Sequence, residues 1–318
     1  MRKTLLAIFV FCALADGAGA IWGENAPPQR AVPAPGSGDA AAAIDIDPDG
    51  GADRYARRGD NPNSRYYVNM DFYNARSDGM LTIIPGYRSF QQTAEWSCGN
   101  AVALSALRHF GIAGYSEWDI ACAMGSHTDR GTPGAAPGTA VRYSDYGTDV
   151  GRMTRFFEGI DGLKVLETSY RAAYAAADLL SSADNVPTGW IGNLPPTFSP
   201  RSLYTSENDE QGEAWVERAD ESYFVRWLKG HIARGNIVMA EWADWDGHWV
   251  AIIGYDDNGT PGIGDDILVL ADPYDTSDHW QDGYTVYPLE RWFYSWKDLS
   301  VAPKPYQLQP YLVVGRDG

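Results

Sequence analysis

The distribution of helical and extended patterns along this chain predicts an α+β fold, with an N-terminal helical lobe packed on a C-terminal antiparallel sheet. Before residue 236 the apolar residues recur mostly at helical spacing, whereas after it they form short runs separated by Gly, Asp, Asn and Pro turns. The composition, 44% hydrophobic residues with 12 Trp and 19 Tyr, is sufficient for one large core. We therefore expect a single domain, residues 65–318, with a groove between two unlike lobes.

The N-terminus has the pattern of an export signal. A basic start is followed by an apolar run over residues 5–14 and by small residues at 18–20. The run is too short to span a bilayer, so we expect residues 1–20 to be cleaved and the protein to be exported, to the periplasm or the extracellular medium. Residues 21–64 are dominated by Ala, Pro, Gly and Asp, and they are expected to form a disordered linker or pro-segment.

The charge balance excludes several classes of partner. With 25 basic and 42 acidic residues the net charge is −17, which disfavours nucleic acid and anionic membrane surfaces. We expect no membrane insertion and a monomer. No Cys/His cluster has zinc spacing and no glycine-rich loop is of the phosphate-binding type, so no cofactor or metal is expected. The carboxylates between Asp256 and Asp266 are interpreted as a solvated turn in preference to a calcium site.

The N-terminal half contains one predicted hairpin and three predicted helices. Alternating residues around Val68–Phe72 predict a strand that pairs with Leu81–Ile84. An apolar helix is predicted to run through Ala101–Phe110, a second through Glu117–Met124 with a capping box formed by Ser116 and Asp119, and a third from Thr148 and Asp149.

The second half begins with a segment, residues 185–220, that is rich in Pro, Gly and acidic residues and is predicted to be a surface excursion. Helical spacing returns at Ser222 and ends at Gly235. Five strands are then predicted, at Ile237–Trp242, His248–Tyr255, Ile267–Ala271, Tyr284–Tyr287 and Tyr311–Val314.

Cys98 lies where a polar loop meets the first helix. At a helix start, free N–H groups and the helix dipole stabilise a thiolate, so Cys98 is a candidate nucleophile. Gln92, six residues earlier, can turn its amide N–H₂ toward the same point and act as the donor to an oxyanion.

Such a thiol needs an imidazole base and a group that orients it. Of the five histidines, only His248 stands at the end of a rigid apolar strand; His109 and His231 have helical packing positions, and His127 and His279 lie in polar loops. Asp272 closes the next strand. If the two strands are antiparallel neighbours, the start of one and the end of the other lie side by side.

Several motifs follow one another along the chain: Gln92, Cys98-Gly99 opening an apolar helix, Gly247-His248-Trp249-Val250 leading to Ile253-Gly254-Tyr255-Asp256-Asp257, and Ala271-Asp272-Pro273. Together they resemble the bacteriocin-processing (double-glycine leader) peptidases and their secreted relatives within the papain-like superfamily, which implies a peptide or protein substrate. The resemblance covers roughly residues 85–315. It implies a papain-like fold and a cysteine peptidase, with Cys98 as nucleophile, His248 as base and then acid, Asp272 as orienter and Gln92 as oxyanion donor.

Two alternatives compete with this interpretation. Cys98 and Cys122, the two cysteines left after signal removal, can form a disulfide in a non-catalytic binding or structural module. The same thiol chemistry can also serve an amidase that acts on cell-wall peptides. Cys122 is expected to be a buried apolar residue, and Trp96 and Trp249 are placed to line a substrate groove.

Overall fold

A computed structural model describes residues 70–94, 96–128, 138–139, 147–172, 193–209, 211, 214–244, 247–274, 282–299, 302 and 305–317. The predicted signal and linker, residues 1–64, and the first residues of the predicted domain lie outside these ranges.

The described residues form a mixed α+β structure around one seven-stranded antiparallel sheet. The strands are β1 (Leu81–Ile83), β2 (His127–Thr128), β3 (Gly138–Thr139), β4 (Leu163–Thr168), β5 (Ile237–Trp242), β6 (His248–Asp256), β7 (Ile267–Ala271), β8 (Tyr284–Pro288) and β9 (Tyr311–Arg316). The order in the large sheet is β4-β9-β5-β6-β7-β8, with β1 also paired to β6, while β2 and β3 form a separate parallel ribbon. Strand β5 is buried along its whole length, and β6 is buried except at Asp256.

Five α-helices accompany the sheet in the described part of the chain. They are α1 (Cys98–His109), α2 (Glu117–Met124), α3 (Val150–Glu158), α4 (Tyr223–Ala233) and α5 (Leu289–Ser295). The predicted capping signals are confirmed: Ser116 and Asp119 form a capping box, and the Asp149 and Ser222 side chains accept backbone hydrogen bonds in the first turns of α3 and α4. Helix α1 packs on β6, the strand that begins with His248.

The predicted N-terminal hairpin is wrong. Residues 70–73 are not a strand, and β1 pairs with the end of β6, Leu81 opposite Asp256 and Ile83 opposite Gly254. The reason is the length of β6: β5 pairs only as far as Ile252, so the backbone groups of the last residues of β6 need another partner on that edge. Gly254 permits the approach, because a Cβ there would lie 3.2 Å from Ile83 Cγ1.

The predicted order of helices first and strands later is only partly right. Strand β4 lies between two of the early helices and pairs with the C-terminal β9, Leu163 opposite Arg316. Helix α5 follows β8 directly. The two halves of the sequence therefore share one sheet, and the sheet is not a purely C-terminal lobe.

The segment predicted as a surface excursion contributes to the core where it is described. Phe198 and Leu203 are buried, and the Phe198 ring lies 4.7 Å from that of Trp227 and 5.1 Å from that of Phe224, measured between centroids. These two apolar residues anchor a segment whose composition is otherwise polar.

Among the described residues, no helix has the length and apolar character needed to cross a membrane. The same residues hold no group of three or more His, Cys, Asp or Glu side chains arranged to bind a metal ion. In the turn after β6, backbone N–H groups of Asn258 and Gly259 donate to the carboxylates of Asp256 and Asp257.

Candidate active site

Cys98 is the first residue of α1 and is half-buried. The preceding residue, Ser97, makes no side-chain cap to the helix, and the first turn contains no acidic residue. The first N–H groups of a helix have no partner within it, so those of α1 remain free to interact with a sulfur or an oxyanion at its start.

Gly99 brings this helix end against the sheet. A Cβ at Gly99 would lie 2.4 Å from Thr148 Cγ2 and 3.2 Å from Trp249 Cδ1, so a larger residue would push α1 away from β6. Trp249 follows His248, and the close packing at Gly99 therefore sets the separation between the nucleophile and the candidate base.

His248 and Asp272 meet as the sequence predicted. Strands β6 and β7 are antiparallel neighbours, with Ala251 opposite Ala271, so the start of β6 lies beside the end of β7. His248 Nε2 is 2.7 Å from Asp272 Oδ1. Both side chains are buried, and the same carboxylate oxygen accepts a hydrogen bond from the Tyr274 backbone N–H, which fixes its position.

The surroundings of His248 favour its protonated form. Burial alone lowers the pKa of this imidazole, but the Asp272 charge and hydrogen bond, together with hydrogen bonding and charge interaction with Cys98, raise its pKa to about 10. Because Nε2 is taken by Asp272, Nδ1 is the ring nitrogen left for Cys98. Asp272 and Cys98 thus both act on the same imidazole.

Gln92 is buried beside this arrangement. Its backbone N–H donates to Pro273 O, 2.9 Å away, which ties it to the residue after Asp272. Its side-chain Nε2 donates to Ala94 O at 2.9 Å, within its own loop. An amide N–H₂ carries two protons and can donate to more than one acceptor, and the assignment of Gln92 as oxyanion donor stays a prediction. The neighbouring Gln91 also has a buried Nε2, which lacks a hydrogen-bond partner in the described part of the chain.

Trp96 and Trp249, which were expected to line a substrate groove, are both buried. Trp249 is only 1% exposed, and its indole N–H donates to Thr148 O. Trp96 is 7% exposed and packs with Ala94 and Ala121. Trp249 therefore supports the helix start from behind, and the expectation that it lines a substrate groove is not met in this structure.

Both cysteines of the described chain are free. Cys122 is exposed on α2, which corrects the expectation that it is buried, because the face of this short helix that packs inward carries Ile120, Ala121 and Met124 instead. The Cys98–Cys122 disulfide of the alternative interpretation is therefore not formed in this structure.

Of the remaining histidines, His109 and His231 have other partners. His231 Nε2 is 3.0 Å from Glu167 Oε1, and burial lowers the pKa of this histidine more than the nearby Glu167 raises it. Burial and the Arg316 charge lower the pKa of His109, whose ring packs against Tyr87. His279 is not among the described residues.

Two buried carboxyl groups, Glu241 and Asp298, lie beside the residues that flank His248 and were not predicted from the sequence. A Cβ at Gly247, where φ is +126°, would lie 2.3 Å from Asp298 Oδ2, so only glycine fits before His248. Burial, then the charges of Asp298, Cys98 and Asp149, raise the pKa of Glu241 well above its ordinary value. The signal that could have indicated this pair is a glutamate within the otherwise apolar run Ile237–Trp242, which forms the fully buried strand β5.

A buried carboxylate that contacts the loop before Cys98 was also not predicted from the sequence. Glu117 is the first residue of α2 and only 6% exposed, and its carboxylate accepts hydrogen bonds from Thr93 and Ser97. The sequence indicated only a helix start at this position.

Comparison of the chain with protein-family models, with curated proteins and with solved structures found no match.

Proposed function

We propose that this protein is an exported cysteine peptidase of papain-like architecture, which hydrolyses peptide bonds through Cys98, His248 and Asp272. The observation that carries the proposal is the buried imidazole on which two partners act: His248 Nε2 lies 2.7 Å from Asp272 Oδ1, and Cys98 is among the groups that raise the pKa of the same ring. A disulfide or a packing cysteine does not require this arrangement.

In the proposed reaction the Cys98 sulfur attacks the peptide carbonyl carbon, and the carbonyl oxygen becomes an oxyanion. The Cys98 backbone N–H and the Gln92 amide donate hydrogen bonds to that oxygen. The His248 imidazolium then gives its proton to the leaving amine as the C–N bond breaks, which leaves a thioester on Cys98. A water molecule, deprotonated by His248, attacks the thioester and releases the acid and the free thiol.

Asp272 has an electrostatic and an orienting role in this scheme. Its carboxylate fixes which ring nitrogen faces the sulfur, and it stabilises the positive charge on the imidazole. The buried Asp272 pairs with a buried His248, so the stabilisation is not weakened by solvent.

The proposal is tested by incubating the purified protein, under reducing conditions, with a broad library of internally quenched peptides. We expect hydrolysis that is lost after treatment with iodoacetamide and retained in the presence of a chelator. Absence of hydrolysis across the library, or hydrolysis that survives complete alkylation of Cys98, would contradict it.

A further inference from the structure

Glu117 holds both ends of the loop that carries the predicted oxyanion donors. Its Oε1 accepts a hydrogen bond from the Thr93 backbone N–H at 3.1 Å and its Oε2 accepts one from the Thr93 hydroxyl at 2.9 Å. The Ser97 hydroxyl donates to the same Oε1. Thr93 directly follows Gln92 and Ser97 directly precedes Cys98, so one carboxylate fixes the neighbours of both donors.

The hydrogen bonds that Glu117 accepts are expected to be strong, because the acceptor is a buried carboxylate. A buried carboxylate without partners would carry a large desolvation cost, which here is offset by three donors and by the N-terminal end of α2. Hydrogen bonds to an ionised acceptor are shorter and stronger than neutral ones. Within the loop, Ser97 is also tied to Ala94: the Ser97 N–H lies 3.2 Å from Ala94 O, the Ser97 Oγ lies 3.0 Å from the same oxygen, and the Ala94 N–H donates to that Oγ at 3.3 Å. Glu117 adds the only one of these ties that reaches outside the loop, to a neighbouring helix.

The same contact decides what the Ser97 hydroxyl does. Serine at the position before a helix normally caps the first turn with its side chain, yet Ser97 makes no such cap. Its hydroxyl contacts Glu117, 20 residues away in sequence, and the backbone N–H and carbonyl oxygen of Ala94 in its own loop. The first N–H groups of α1 are consequently not occupied by the residue that would ordinarily take them.

From this geometry we propose that Glu117 is a positioning residue of the site. It sets the separation between the Gln92 amide and the Cys98 backbone N–H, and it keeps the Ser97 hydroxyl away from the start of α1. The inference rests on the proposed peptidase function for its consequence in catalysis, but the effect on the Cys98 sulfur is independent of any substrate.

The test compares Glu117→Ala with Glu117→Gln and with Asp119→Ala. Asp119 belongs to the same helix and completes its capping box, but it is exposed and contacts Ser116 instead of the loop.

We expect Glu117→Ala to lower kcat by about 10- to 100-fold with KM changed by less than about threefold, because oxyanion stabilisation is realised in the transition state. Glu117→Gln, which can still accept from the Thr93 N–H and the Ser97 hydroxyl, should fall between Glu117→Ala and wild type. Asp119→Ala should keep the wild-type kcat.

A wild-type kcat in Glu117→Ala, or an equal loss of kcat in Asp119→Ala, would overturn the proposal. If Glu117→Ala does not fold, Ser97→Ala removes one of the anchors alone and must also lower kcat for the proposal to stand.

Alkylation of Cys98 by iodoacetamide separates this inference from the proposed function, since it needs no peptide substrate. It should be at least about threefold slower in Glu117→Ala than in Asp119→Ala, because the Ser97 hydroxyl then competes for the N–H groups of α1; equal rates would refute the role of Glu117 even if hydrolysis is never observed.

Discussion

Replacing Cys98 by alanine should lower kcat/KM for peptide hydrolysis on the order of 10³-fold or more, and His248→Ala should lose about as much. In the proposed reaction the sulfur forms the bond to the substrate, and the imidazole moves the proton. Cys98 contributes to raising the pKa of His248, so we expect the two side chains to work as one unit. The double variant should therefore be hardly worse than either single variant.

Cys122→Ala is the matched control for the nucleophile, because it removes the second free thiol from an exposed position on α2. It should retain wild-type hydrolysis and a wild-type melting temperature. Steady-state assays on the same quenched peptides compare the four proteins. Losses in Cys98→Ala and His248→Ala that multiply in the double variant would indicate that the residues act separately.

The second large effect is expected for Asp272→Asn, which keeps the size of the side chain but removes its charge. The Asp272 carboxylate raises the pKa of His248 against the lowering effect of burial, so the wild-type imidazolium should persist until the pH approaches about 10. In the variant the alkaline limb of kcat/KM should move toward neutral pH, and the rate at the optimum should fall on the order of 10²- to 10⁴-fold. The loss should remain smaller than that in Cys98→Ala.

The same substitution has a signed effect on stability. Folding raises the pKa of His248 from its ordinary 6.5 to about 10, so its ion pair stabilises the folded state fully below pH 6.5 and progressively less as the pH rises through about 10. The difference in melting temperature between wild type and Asp272→Asn should accordingly be largest near pH 6 and shrink toward pH 10. An alkaline limb that does not move, or a stability difference that grows with pH, would contradict the assigned role.

Local signals made several elements predictable. The predicted bounds of Glu117–Met124, Ile237–Trp242 and Ile267–Ala271 are those observed, because a capping box, a left-handed residue at Gly125 and uniform apolar runs mark them within a few residues. The elements that were missed lack such marks. Strand β4 (Leu163–Thr168) is only partly buried and finds its partner at the other end of the chain, and the seven residues of α5 (Leu289–Ser295) begin directly after a strand.

The residues of the candidate site were likewise predictable only where a local signal marks them. Cys98, His248 and Asp272 each stand at the end of an element, so their meeting follows once α1 packs on β6 and β6 pairs with β7. Glu117 was not predicted because its partners Thr93 and Ser97 lie 24 and 20 residues away across a turn of the chain. The burial of Trp249 also depends on tertiary packing, through the contact of its ring with Gly99.

The central claim, that Cys98 is an activated nucleophile, is tested most directly by the relative alkylation rates of the two free thiols within one molecule. Accessibility alone favours Cys122, which is exposed, over the half-buried Cys98. Partial burial and the charge of Asp119 raise the pKa of the Cys122 thiol, and no imidazole accompanies it among the interactions that shift its pKa. Peptide mapping after brief exposure to iodoacetamide at pH 7 should show Cys98 modified at least about tenfold faster, with that preference lost in His248→Ala. Modification of Cys122 first, or a preference for Cys98 that persists without His248, would contradict the account.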